Sequence, residues 1–323
     1  MKSKLLPLAL GIAAALAGGT AFAQAFPAKP IRFIVAYPPG GSVDLHARHV
    51  GAKMAENLGQ PIVVENRPGG NTHIGAEVVA KAPPDGYTLF HTLDSTMTLN
   101  QALYSKLPFD PIRDFAPVAR LASGNSIIVV HPSVPVKTMR ELVDYAKANP
   151  GKLNFGSGGP GATPHLAGEM FKMMAGIRVT HVPYKGGAPA LANLVGGQIQ
   201  FMLENIPGTL PFVKGGKLRA LAVTDIKRSP LLPDLPTLDE AGLKGYELVG
   251  WNGMFVPAGT PNAIVNKLHE GVVAALAIPD VKERLTVLGA DGVGDTPQHF
   301  SAFIKADIAK WAKVVKAAGI KVE

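Results

Sequence analysis

The sequence contains no cysteine. That absence excludes disulfide cross-links, a thiolate nucleophile and a Cys-ligated zinc site, whatever the redox state of the compartment. Beyond residue 23 there is also no run of 18 or more uncharged apolar residues, so nothing after the leader has the composition of a membrane-spanning helix. Basic tracts are missing as well. The formal charge is +8, yet the longest purely basic run is Lys227-Arg228, so the excess reads as surface solvation and no nucleic-acid partner is expected. Heptads, short solenoid repeats and low-complexity tracts are absent.

What is present begins with "MKSKLLPLALGIAAALAGGTAFA", residues 1–23: Lys2 and Lys4, an apolar stretch, then small residues closing on Ala21-Phe22-Ala23. This is the layout of a cleaved secretory signal and predicts a mature chain that begins near Gln24 outside the cytoplasmic membrane. About 300 residues remain, enough for two domains, and 47% hydrophobic residues supply a core.

Residues 31–92 carry a strand–loop–helix rhythm: "IRFIVAY", a Gly-rich turn, a helical pattern, "PIVVEN", "RPGGNTH", a second helical pattern, then "YTLFHT". The rhythm returns in "KLNFGS", "RVTHVPY" and "IQFMLEN". Alternating strands and helices predict an α/β fold with parallel sheets, in two lobes of similar plan. Two extended stretches, "DPIRDFAPVARLASGNSIIVVHP" and "YELVGWNGMFVPAGTP", are expected to cross between the lobes. Residues 26–125 and 249–323 would then form the first lobe and 126–248 the second. Helical patterns near 262–277, 281–288 and 298–318 are expected to pack back on the first lobe. Trp251, Trp311 and the methionines at helical spacing read as packing residues.

In open α/β sheets ligands bind where strands hand over to helices. "YPPGGSVDLHAR" ends the first strand with Tyr37, Pro39, Gly40, Gly41 and Ser42 at such a hand-over. The glycines allow close approach of the backbone, and the helix amides of Gly40 to Val43 would face an anion. A β-branched residue at Gly41 is expected to weaken that site. A plain tight turn is the alternative. Asp44 reads as a helix-start cap and i,i+4 partner of Arg48. In the second half, "FGSGGPGATPHLAGEMF" satisfies G-x-G-x-x-G through Gly156, Gly158 and Gly161. No acidic residue lies between Glu169 and Glu204 to hold a ribose, so no dinucleotide cofactor is expected. Phe155 stands where a nucleophile elbow needs glycine. What survives is a second anion-facing loop, with Ser157, Gly158, Thr163 and His165. Tyr184 offers an apolar wall with a polar tip. Thr92, Ser95 and Glu204 end strands where a cleft rim should be, and each also fits a loop cap. A carboxylate such as Glu204 or Asp94 beside an anion is unfavourable unless screened, protonated or paired with a cation on the solute. His46 and His49 lack a third ligand at a recognisable spacing, so no metal is expected.

"YPPGGSVDLHAR", "PIVVENRPGGNTHIGAEVVAKAPPDGYTLF", "FGSGGPGATPHLAGEMFK", "VPYKGGAPALANLVGGQIQFMLEN", "KLRALAVTDIKRSPLLPDLPTLDEAGLKGYE" and "PAGTP" together resemble the Bug family, the extracytoplasmic solute receptors of tripartite tricarboxylate transporters. The resemblance runs from about residue 26 to the C-terminus. It implies a periplasmic, monomeric two-lobe binding protein of the type II plan, with a ligand cleft between the lobes. It further implies a small carboxylated solute, membrane transporter subunits as partners, and no catalysis. The family's first-lobe carboxylate loop maps onto Pro39 to Ser42, and its second-lobe loop onto Ser157, Gly158 and Thr163 to His165. "SVD" replaces a common Pro-Thr-Asp type sequence, and Glu204 replaces a frequent aspartate. Two other readings compete: an exported serine-type hydrolase using Ser157 and His165, and a sensory receptor feeding a membrane signalling protein.

Overall fold

The computed structural model describes residues 26–320, so the leader and its cleavage site lie outside the described residues. β1 (Ile31–Val35) buries every residue but Arg32, the near-continuous burial of a parallel strand covered on both faces. It pairs in parallel with β2 (Ile62–Asn66) and β3 (Thr88–Leu93). The connections are α1 (Ser42–Leu58) and α2 (His73–Ala80). A π-helical turn, Ser95–Leu99, follows β3 and continues into α3 (Asn100–Leu103). The chain then enters β4 (Phe115–Val130), the longest strand.

β4 belongs to two sheets. Residues 126–130 pair with a second set of strands, built along the chain as α4 (Met139–Ala148), β5 (Asn154–Ser157), α5 (Thr163–Ala175), β6 (Thr180–Pro183), α6 (Gly187–Val195), β7 (Phe201–Asn205), α7 (Ile206–Lys214) and β8 (Arg219–Val223). β5 is parallel to β6 and β7, and β7 and β8 flank β4 in antiparallel register. β9 (Val249–Pro257) brings the chain back and runs antiparallel to residues 115–125 of β4 and to β3. After it come α8 (Asn262–Ala277), α9 (Pro279–Val287), the short β10 (Asp291–Gly292) and α10 (Pro297–Ala318). Among the described residues no helix is long and apolar enough to cross a membrane.

The two extended stretches of the sequence are thus β4 and β9, paired with each other at the junction. Their register slips at Pro117/Ala119 and at Arg120/Ala122. Pro117 offers no ladder donor, and bulges bend and twist a strand.

Each sheet is covered on both faces, by one apolar cluster on each side. The terminal helix departs from its expected position. Its first half seats Phe300 and Ile304 in a first-lobe cluster, but Trp311, Val314 and Val315 lie in the second-lobe cluster with Phe155, Phe171 and Phe201. Its 22 residues at about 1.5 Å each are long enough to strap both bodies.

Candidate functional site

The strand registers place the two walls of the site opposite each other. Leu93, at the end of β3, pairs with Asn252, which pairs with Ala122; Asn205, at the end of β7, pairs with Ser126. Four residue steps along β4, from Ala122 to Ser126, therefore separate the two strand ends, about 13 Å at the usual rise per residue. The carboxyl ends of β1 and β3 point at this junction from one side, and those of β5 and β7 from the other.

On the first wall Gly40 has φ +86 and donates its N–H to Asp44 Oδ2 at 2.9 Å. Asp44 also accepts from Arg48 Nε at 2.9 Å and from Asn66 Nδ2 at 2.9 Å. Asn66, at the end of β2, reaches the Tyr37 carbonyl as well. Burial alone would raise the Asp44 carboxyl, but the hydrogen bonds from Arg48, Gly40 and Asn66 outweigh it and hold it at about 2. Gly40's amide is therefore occupied, and Asp44 shapes the loop. The first intrahelical bond runs from Leu45 N–H to the Gly41 carbonyl, so the amides of Ser42, Val43 and Asp44 have no helix partner. Gly41 itself is extended, φ −77, and a Cβ there meets only the Pro38 carbonyl at 3.9 Å. The strain argument belongs to Gly40, not to Gly41.

Behind this loop, Tyr37 Oη lies 3.4 Å from Ser95 Oγ. Thr92 is fully buried and donates to Thr96 Oγ1 at 2.6 Å, which donates to Thr72 Oγ1 at 2.8 Å. Thr92 thus braces the wall from inside. Thr72 has φ +78, an unusual conformation for a β-branched residue and one that concentrates at ligand clamps. No motif in the sequence singles out Thr72, although the Gly69-Gly70 pair before it marks a turn. Deeper still, Asn252 of β9 bridges two buried imidazoles, His46 Nδ1 at 3.1 Å and His91 Nε2 at 2.9 Å. Burial lowers the His46 pKa to about 3 and the His91 pKa to about 4. At the junction Asp94 is pushed up to about 7, by burial first and then by the neighbouring charge of Asp307. Asp307, on α10, is held by Lys310, Thr98 and Trp251.

The second wall repeats the loop with different chemistry. Gly161, φ +76, donates its N–H to His165 Nδ1 at 3.1 Å, so the proton of the neutral ring sits on Nε2. His165 is buried and stacks on His181 with ring centroids 3.8 Å apart. His181 Nε2 lies 2.6 Å from Ser157 Oγ. Burial lowers His165, and lowers His181 to about 4. Ser157 is 0% exposed, donates to the Gly159 carbonyl and accepts from the Gly159 N–H. His181, which the sequence pattern does not flag, is therefore the partner of Ser157. Thr163 opens α5, and the Ala162 carbonyl takes the first intrahelical bond from Leu166. Tyr184 donates its backbone N–H to Ser157 O and packs in a second-lobe cluster. Gly186 N–H bonds the Gly158 carbonyl, joining the two second-lobe loops. Glu204 is buried beside Gly187, with burial raising its pKa.

Two α/β bodies joined by paired strands, with loop–helix ends facing across the junction, define a two-lobe solute-binding protein. The fold agrees with that of an R. palustris protein solved with adipate, at TM-score 0.76 and 38% identity, over 92% of this chain and 100% of that one. It also agrees with MatC from Rhodopseudomonas palustris solved with malate, at TM-score 0.72 and 35% identity, over 90% and 100%. The chain belongs to the tripartite tricarboxylate transporter family receptors, TctC, whose family model matches residues 46–320. Protein BugT of Bordetella pertussis (strain Tohama I) is 34% identical, over 97% of each chain.

Proposed function

We propose that this protein is a periplasmic, monomeric receptor that captures a small carboxylate between its lobes and delivers it to the membrane subunits of a tripartite tricarboxylate transporter. Residues 26–125 with 249–296 act as one body and 126–248 as the other, with α10 spanning the two. The observation that carries this reading is the free first turn of α1. Three amides and the positive helix end stand at the strand-end junction with no partner of their own. Similar structures hold adipate and malate, which supports a carboxylate as the solute. Gly41, Ser42, Ser95 and Tyr37 on one wall, and Gly158, Thr163, His165, Tyr184 and Glu204 on the other, are the proposed contacts; Pro39, Gly40, Thr92 and Ser157 hold their shape.

A non-catalytic role is supported by Ser157. Its oxygen is buried and saturated by Gly159 and His181, and among the described residues no carboxylate hydrogen-bonds His165 or His181 to orient a general base. A thermal-shift screen of the mature protein against aliphatic mono- and dicarboxylates tests the function. Because only the folded state binds, a true ligand at a hundred times its Kd stabilises by about 2.7 kcal/mol. A midpoint unmoved by every acid overturns the reading.

A further inference from the structure

The two walls differ in how they use their acids. Asp44 turns both oxygens inward onto Gly40, Arg48 and Asn66. Glu204, at the end of β7, is only 8% exposed and satisfies only one oxygen: Oε1 accepts from Asn205 N at 2.9 Å and from Asn205 Nδ2 at 2.6 Å. Among the described residues no hydrogen bond or ion pair reaches Oε2. This oxygen is aimed at the start of α6, where a Cβ on Gly187 would stand 3.0 Å away. Gly158 packs against the same spot, with its own Cβ position 3.2 Å from Gly187 N. Gly158 and Gly187 thus let the two second-lobe loops and the Glu204 carboxylate pack closely together on the second wall.

Oε2 is not sealed from solvent, so water donates to it in the free protein, and a solute that displaces that water must offer a donor of its own. Burial also pushes the Glu204 carboxyl up, against the two lowering hydrogen bonds from Asn205. A solute that met this wall with a second carboxylate would add repulsion at short range. Resting on the reading of the cleft as a carboxylate site, we propose that the solute carries a hydrogen-bond donor, an ammonium or hydroxyl substituent, that binds Glu204 Oε2 while its carboxylate lies at the start of α1. Glu204 then selects amino or hydroxy acids over their unsubstituted parents.

Titration calorimetry on a matched set tests this: acids of three to six carbons, each as the parent, the 2-hydroxy and the 2-amino form, against the native protein and Glu204→Gln. The native protein is expected to bind a substituted acid at least about tenfold more tightly than its parent, the effect of one hydrogen bond to a charged group. Glu204→Gln is expected to shrink that ratio to about threefold or less. A larger loss for the amino form assigns the donor as ammonium, and a larger loss for the hydroxy form as hydroxyl. Equal native affinity for parent and substituted acids overturns the inference but leaves the carboxylate reading standing. So does a parent dicarboxylate that binds best and weakens as pH rises, which makes Glu204 a protonated donor. Equal losses for all acids in a Glu204→Gln protein of unchanged melting temperature also reject it. No heat from any acid overturns both.

Discussion

The two lobes build the same device from different side chains. In each, a glycine with positive φ donates its N–H to a side chain four residues on, in the first turn of the following helix: Gly40 to Asp44, and Gly161 to His165. The first lobe uses a carboxylate anchored by Arg48 and Asn66. The second uses a neutral imidazole stacked on His181. Loop shape is therefore separable from loop charge. The helix starts differ too, because Pro164 removes one amide from α5 while α1 keeps all of its own. The first turn of α1 thus leaves three amides without a helix partner and that of α5 leaves two.

Acidification is the largest way to break the comparison. Both lobes bury a histidine pair whose folded pKa values lie below the ordinary 6.5, at about 3 for His46 and about 4 for His91 and His181. The unfolded chain binds the extra protons, so stability present above pH 6.5 is lost as pH falls toward 4, at no more than about 1.4 kcal/mol per pH unit for each histidine. Asp94 opposes this. Its folded pKa of about 7 lies above the ordinary value, so its contribution is present at low pH and lost as pH rises through 7. Urea unfolding between pH 4.5 and 7.5 is expected to show declining stability on acidification, and a steeper decline in Asp94→Asn. A flat native profile, or a shallower variant, contradicts this balance.

Next in size is Asp44→Ala, which strands the donors of Gly40, Asn66 and Arg48 and is expected to cost about 3 kcal/mol. His165→Ala removes one acceptor and one stacked ring and is expected to cost less, about 2 kcal/mol. Denaturant midpoints of the two variants decide, and a reversed order would mean that the stacked imidazoles are the stronger frame. The smallest effect sharpens the parallel: Gly40→Ala and Gly161→Ala should each lose about 1 kcal/mol through the left-handed backbone, while Gly41→Ala stays within about 0.5 kcal/mol of native. A Gly41 loss as large as that of Gly40 would show that the loop relaxes away from its present shape.

The strand–loop–helix rhythm, both crossing strands and the loops at the walls were legible in the sequence, because turn residues and apolar runs are local signals. The particular partners were not. His181 reaches Ser157 only because β5 and β6 pair with Phe155 opposite His181, a register no local pattern encodes. Asn252 meets His46 and His91 from sequence distances of 206 and 161. The last helix looked like a first-lobe element because its amphipathic stripe says which face is buried, not against which body.

That helix has a mechanical consequence. With Phe300 and Ile304 keyed into one body and Trp311, Val314 and Val315 into the other, it lies across the β4–β9 junction like a splint. Rotation of the bodies must slide one set of keys through a close-packed surface, and such surfaces shift between discrete seats instead of deforming smoothly. Any change in the angle between the bodies must therefore repack the contacts that this helix, with Leu99 and Leu103 beside it, makes on the second body.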